Sequence, residues 1–186
     1  MKDTFSTILQ EIQMNKKEPL LIAIDGRCAS GKTTLASRIK EEINCNVIHM
    51  DYFFLRPEQR TEDRLRQPGG NVDYERFLEE VIEPLKQGST FSYRAFDCKT
   101  MDLTDEIQVK PNPVTIVEGA YSCHPLLWNF YDIHIFLSVD SKEQLQRIEC
   151  RNGEKALATF RERWIPLEEY YFSQCQIMER CDYIFM

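Results

Sequence analysis

At 186 residues, with 42% hydrophobic and 28% charged side chains, the chain is sized for one full domain with a real core and shows no disorder, low complexity or repeat. Its formal charge of −7 argues against extended nucleic-acid binding, which calls for a net basic surface. No apolar stretch approaches the roughly 20 residues that cross a bilayer, and the N-terminus is not a signal peptide, so we expect a cytoplasmic protein with no membrane or nucleic-acid partner.

In chain order, residues 4–14 place Phe5, Ile8, Leu9 and Ile12 at helical spacing, a short amphipathic helix expected to pack on the domain and carry no chemistry. A buried strand over Leu20–Ile24 follows, then a glycine loop, then a helix of about ten residues in "GKTTLASRIKEEI". "NVIHMD" is a second strand ending at Asp51. "YFFLRPEQRTEDRLRQPGGN" is a long loop, and "VDYERFLEEVIEPLKQG" is a helix with Phe77, Leu78, Val81, Ile82 and Leu85 on one face. "FSYRAF" and "EIQV" form a small antiparallel pair outside the main alternation. "PVTIVEG" and "DIHIFLSVD" are further core strands, two helical stretches run from about 141 to 177, and "CDYIFM" is the last strand. This alternation predicts an α/β fold in which helices sandwich a parallel sheet.

Seven cysteines, at 28, 45, 98, 123, 150, 175 and 181, include no C-x-x-C pair, which favours neither a disulfide framework nor a zinc site. Cys28 reads as a space-filler, and none of His49, His124 and His134 shows metal-ligand spacing.

The sharpest signal is "GRCASGKT", Gly26 to Thr33, which fits G-x-x-x-x-G-K-[ST]. Glycines at both ends let the backbone curl until successive N–H groups point inward at phosphate oxygens, and the following helix adds its positive end. The expected phosphate-binding set is Gly26, Ala29, Ser30, Gly31, Lys32, Thr33 and Thr34. Within it, Lys32 reaches the β- and γ-phosphates and Thr33 offers its hydroxyl to Mg²⁺. A chance match in a chain this long occurs in on the order of one sequence in a hundred. Ligands in such sheets sit at the carboxyl ends of the strands, where Asp51 and Glu118 stand. Asp51 is the natural base for an acceptor hydroxyl. Arg147 and Arg151, four apart on one helical face, precede a hinge at Asn152-Gly153.

In this order and spacing, "GRCASGKTT", "VIHMDYFF", "NVDYERF", "VTIVEGAYS", the arginine-bearing "RIECRNG…FRERW" and "CDYIF" resemble the uridine kinase family of P-loop nucleoside kinases, nearly end to end. The resemblance implies a three-layer P-loop fold spanning 1–186 as one domain, with a mobile arginine lid at about 147–165. It implies ATP with Mg²⁺ held by Thr33 and Glu118, Asp51 as base, Lys32 and Arg151 on the phosphates, and Asp73 on the sugar hydroxyls. Phe53, Arg161 and Arg163 are candidate acceptor contacts. Asp73 reads equally as a helix N-cap, and Arg161 and Arg163, flanking Glu162, also read as solvated ion-pair partners.

Two features depart from the family. Phe96-Asp97 lacks the following histidine that contacts a pyrimidine, which leaves open a different nucleoside or a smaller alcohol of the kind used by phosphoribulokinases and pantothenate kinases. The sequence given ends at Met186, leaving little polypeptide to cover an adenine. A non-catalytic nucleotide-binding module is disfavoured by Asp51 and Glu118, a GTPase switch by the lack of N-K-x-D; a homo-oligomer is compatible with the sequence.

Overall fold

A computed structural model describes residues 4–186. The strands are β1 (Leu20–Gly26), β2 (Asn46–His49), β3 (Phe91–Asp97), β4 (Asp102–Val109), β5 (Val114–Glu118), β6 (Ile133–Leu137) and β7 (Tyr183–Phe185). The helices are α1 (Thr4–Met14), α2 (Lys32–Glu42), α3 (Glu62–Leu65), α4 (Tyr74–Phe77), α5 (Glu83–Gln87), α6 (Ser141–Asn152), α7 (Glu154–Thr159), α8 (Ile165–Cys175) and α9 (Ile177–Arg180). β1, β2, β5, β6 and β7 form a parallel sheet in the order β2-β5-β1-β6-β7. β3 and β4 form the expected separate antiparallel pair.

β1 is central and apolar on both faces, as a strand covered on both sides must be. Alternate residues feed two cores. Leu20, Ile22 and Ile24 pack with Ile8 and Ile12 of α1 and with Leu35, Ala36 and Ile39 of α2. Ala23 faces a larger core that includes Phe53, Phe77, Val81, Phe136, Tyr171 and Phe172. These are the three layers expected.

Three local departures from the sequence reading have physical causes. β2 ends at His49, so Asp51 lies in a 3₁₀ turn, Met50–Phe53, beyond the strand. The long loop contains a 3₁₀ turn at Pro57–Gln59 and the short α3, capped by the Thr61 hydroxyl accepting from the Arg64 N–H. Between α4 and α5 the helix widens into a π turn, Leu78–Ile82, ahead of Pro84, whose missing N–H interrupts the regular ladder.

β1 and β6 approach closely at the start of the glycine loop. A Cβ on Gly26 would stand 1.9 Å from the Leu137 carbonyl oxygen, so no larger residue fits where the chain leaves the sheet.

Candidate active site

The carboxyl ends of the sheet strands open onto one cleft of about 1440 Å³, larger than the ~300–1,000 Å³ of a typical single-ligand pocket. The glycine loop forms its floor. Ala29 and Gly31 adopt φ of 60° and 99°, the left-handed geometry that turns successive amides inward. Ala29, Ser30, Gly31, Lys32, Thr33 and Thr34 all line the cleft, as expected; Gly26 lies beneath it. Ser30 Oγ is buried with no hydrogen-bond partner among the described residues, and it suits an anionic oxygen. The Lys32 ammonium donates to the carbonyls of Gly26 (2.7 Å) and Arg27 (2.8 Å), which anchors it at the cradle with a third donor to spare.

Thr33 Oγ1 donates to Glu118, 3.1 Å from each carboxylate oxygen. His49 Nδ1–H donates to Glu118 Oε1 at 2.5 Å and fixes its orientation. Thr33 and Glu118 make an all-oxygen pair in the cleft, the donor chemistry that a hard cation such as Mg²⁺ takes.

Asp51 lines the same cleft as the glycine loop. The surrounding protein raises its pKa above the usual carboxylate range; Lys32 pulls it back and Glu118 adds to the rise. Its position depends on Gly119, at φ 141° immediately after Glu118. A Cβ there would meet Met50 Cβ at 2.9 Å and Asp51 Oδ1 at 3.1 Å. Gly119→Ala is therefore expected to displace the Asp51 turn, lowering turnover by at least about tenfold and stability by ~1–3 kcal/mol. Steady-state kinetics and urea melts check both numbers.

The segment expected to form a lid lies between β6 and β7. α6 ends at Asn152, Gly153 (φ 81°) separates it from α7, and α8 reaches the glycine loop through Glu168 and Glu169, so the expected hinge coincides with a helix break. Arg147 Nη1 donates to the Ala29 carbonyl at 2.9 Å, and Arg151 lines the cleft.

Four candidate acceptor residues lie elsewhere. Arg161 and Arg163 are exposed on the π turn Phe160–Trp164 and do not line the cleft; Phe160 and Trp164 do. Four-residue steps put Phe160, Trp164 and Glu168 on one face and turn the arginines away. Phe53 is fully buried in the core, edge-to-face with Phe77, and Phe54 lines the cleft instead. Asp73 takes the N-cap role. It is 4% exposed, accepts from the Arg76 N–H (3.1 Å) and from Gln59 Nε2 (2.6 Å), and does not line the cleft. The N-terminal helix, expected to be inert, brings Thr4 and Phe5 to the cleft wall.

Two buried carboxylates escaped the sequence reading. Asp25, fully buried under the glycine loop, accepts from the N–H groups of Gly26 (2.7 Å), Tyr121 (3.1 Å) and Cys123 (2.8 Å) and from the Tyr171 hydroxyl (2.8 Å). It joins the glycine loop, the segment after Glu118 and α8 at one point. Its only sequence signal is an acid inside an apolar strand.

Glu168 of α8, 5% exposed, accepts from the Cys28 N–H at 2.9 Å, beside an ion pair of Arg27 with Glu169. Burial raises Glu168 to about 7, against the lowering effect of Lys32, and burial with the neighbouring Glu168 charge raises the Cys28 thiol to about 12. That thiol stays protonated, as a packing role requires.

A folded-state pKa above the unfolded value gives stability that is full below the unfolded pKa and lost as pH rises through the folded one. For Glu168 the window is pH 4.5 to 7. Glu168→Gln should remove this dependence, so the stability of wild type relative to variant falls by up to about 3 kcal/mol from pH 4.5 to 8. Urea melts across that range test the sign.

A uridine kinase of Ureaplasma parvum is 30% identical over 156 residues, 79% of this chain and 75% of that protein. A probable uridine-cytidine kinase of Caenorhabditis elegans is 25% identical over 119 residues, 55% of this chain; the match spans about half (48%) of that longer protein. Among solved structures, a possible uridine kinase from Bacillus stearothermophilus superimposes with a TM-score of 0.76, covering 98% of this chain and 97% of that one at 20% identity, a likeness of fold. No family model matches the chain.

Proposed function

The chain belongs to the uridine kinase family and is an ATP-dependent kinase of a small molecule, and we propose that Asp51 is its base and that Mg²⁺ accompanies the ATP. The observation that carries this reading is the placement of Asp51 in the same cleft as the glycine loop, Lys32 and the Thr33–Glu118 pair.

In the proposed reaction the acceptor hydroxyl lies between Asp51 and the γ-phosphorus. Its proton passes to the Asp51 carboxylate as the new O–P bond forms, and the bond from the γ-phosphorus to the bridging oxygen breaks, its electron pair leaving with ADP. The loop amides and Lys32 hold the phosphates and neutralise their charge, while Arg151 brings a second cation from the lid. Thr33 and Glu118 would hold Mg²⁺, which when bound neutralises phosphate charge. Phe160 and Trp164 form the lid's apolar wall and exclude water from the transfer.

The names of the relatives make a nucleoside the first acceptor to test. A smaller alcohol is the second reading, favoured by the tip of the β3–β4 pair, which brings Cys98 and Met101 to the cleft and no histidine. Incubation with ATP, Mg²⁺ and a panel of nucleosides and small alcohols should release ADP only when the right acceptor is present. ADP release at the same rate with and without every acceptor would leave an ATPase rather than a kinase.

A further inference from the structure

The arginine-rich run "RPEQRTEDRLR" has four arginines, and the structure separates one from the rest. Arg56 lies 3.4 Å from Glu58, Arg64 lies 2.6 Å from Glu75, and Arg66 lies 2.8 Å from Glu62. Arg60 has no carboxylate within salt-bridge distance among the described residues, and it lines the cleft. Its Nε donates to the Leu55 carbonyl at 2.9 Å and its guanidinium stands 5.6 Å from the Phe96 ring centroid. Those contacts fix the group and leave Nη1 and Nη2, the forked pair that matches two oxygens of a carboxylate or phosphate.

Arg60 belongs to the acceptor end of the cleft. It directly follows the Pro57–Gln59 turn, which is closed by the Arg60 N–H donating to the Pro57 carbonyl and pinned to α4 by Gln59 donating to Asp73. Phe96 and Cys98, its neighbours, belong to the β3–β4 pair. Asp51, Arg60, Cys98 and Met101 all line the cleft, and the Cys98 thiol, raised by burial, is lowered by Arg60 and raised by Asp51 and Asp97, so base, cation and hairpin tip lie near one another. The other side chains there include Phe54, Asn71 and Met101, none of them charged. Asp51 and Asp97 lie near this end of the cleft but neither pairs with Arg60 at salt-bridge distance among the described residues, so the free fork of the guanidinium suits an anion carried by the acceptor.

We propose that the acceptor is a small alcohol bearing a carboxylate or phosphate group, which Arg60 receives while Asp51 faces the hydroxyl. This rests on the kinase reading above, and it disfavours an uncharged nucleoside. The transfer is unchanged: the hydroxyl proton goes to Asp51, the O–P bond forms and ADP departs.

The test uses matched probes with ATP and Mg²⁺: glycerol against glycerate, ribose against ribose 5-phosphate, and uridine, with ADP release as readout. In at least one pair the anionic member should have a kcat/KM on the order of 10- to 100-fold above its neutral twin, the range of a charge-assisted hydrogen-bond pair. Whether the carboxylate or the phosphate pair responds separates the two sources of charge. Arg60→Gln should raise KM for that acceptor by a similar factor with a smaller change in kcat. Arg60→Lys, which keeps the charge and loses the fork, should fall between. Arg66→Gln, on the exposed surface, should leave that KM unchanged, and thermal melts of each variant separate misfolding from lost recognition. Uridine turning over as well as any anionic probe, with Arg60→Gln indifferent, would sink the anionic acceptor and leave the kinase standing. ADP release independent of every probe would take down both.

Discussion

Asp51→Asn is expected to lower kcat by about 10² to 10⁴ while the KM for ATP changes little. The amide is close to isosteric, so the tight fit against Gly119 survives, and so do the loop amides and Lys32 proposed to hold the nucleotide. What disappears is the atom that accepts the proton. Desolvation within the cleft places Asp51 above the usual carboxylate range, with Lys32 opposing and Glu118 reinforcing the shift. A base must be ionised to act, so the wild-type rate should fall as pH drops through this raised pKa. The acid limb of kcat/KM should therefore lie above that of an ordinary carboxylate and vanish in the variant. Stopped-time ADP assays from pH 4.5 to 8 supply both readings, and turnover within about threefold of wild type would remove Asp51 from the chemistry.

The second large effect concerns folding. Asp25→Ala deletes an acceptor that serves three backbone N–H groups and one hydroxyl, all buried. Each orphaned donor costs ~1–3 kcal/mol, so the total is about 4 kcal/mol or more, a large share of the ~5–15 kcal/mol that holds a typical domain together. The variant should melt far below wild type or fail to accumulate. Asp25→Asn keeps the volume and one acceptor oxygen but turns an NH₂ toward amide donors, and it should lie between the two. Tyr171→Phe removes a single partner and should cost only about 1–2 kcal/mol. Because Asp25 joins the glycine loop to α8, Asp25→Asn should also weaken nucleotide binding, measured by titration with ATP. Equal melting of Asp25→Ala and wild type would show that the four contacts contribute nothing net.

The parts of the site written in consecutive residues were legible. "GRCASGKT" dictates its own backbone: two glycines, a curled loop and a helix start at Lys32. The apolar runs around 20, 114 and 133 had to be strands covered on both faces, and a parallel sheet then brings their carboxyl ends, with Glu118 and the turn after β2 that carries Asp51, to the loop. Where side chains at one spacing could face either way, the sequence was silent or misleading. Arg161 and Arg163 looked like the lid's working cations, but the π turn presents Phe160 and Trp164 to the cleft. Asp73 carried two readings, and the N-cap won because Gln59 and the Arg76 N–H both reach it. Phe53 and Phe54 are adjacent, so one had to enter the core and the other the cleft; only the packing of Phe77 against Phe53 decided which.

The sequence by itself therefore determined the curled glycine loop, the layered sheet and the strand-end Glu118, because these follow from local backbone preference and hydrophobic period. Asp25, Glu168 and Arg60 acquired meaning only in three dimensions. Their partners lie 98 and 146 residues away for Asp25 and 140 for Glu168, while Arg60 is set apart by the carboxylates its neighbours take. Contacts of that range are made by the docking of whole elements, and the docking of α8 and of the segment around the Arg60 turn is fixed by packing in the larger core rather than by any short stretch of chain.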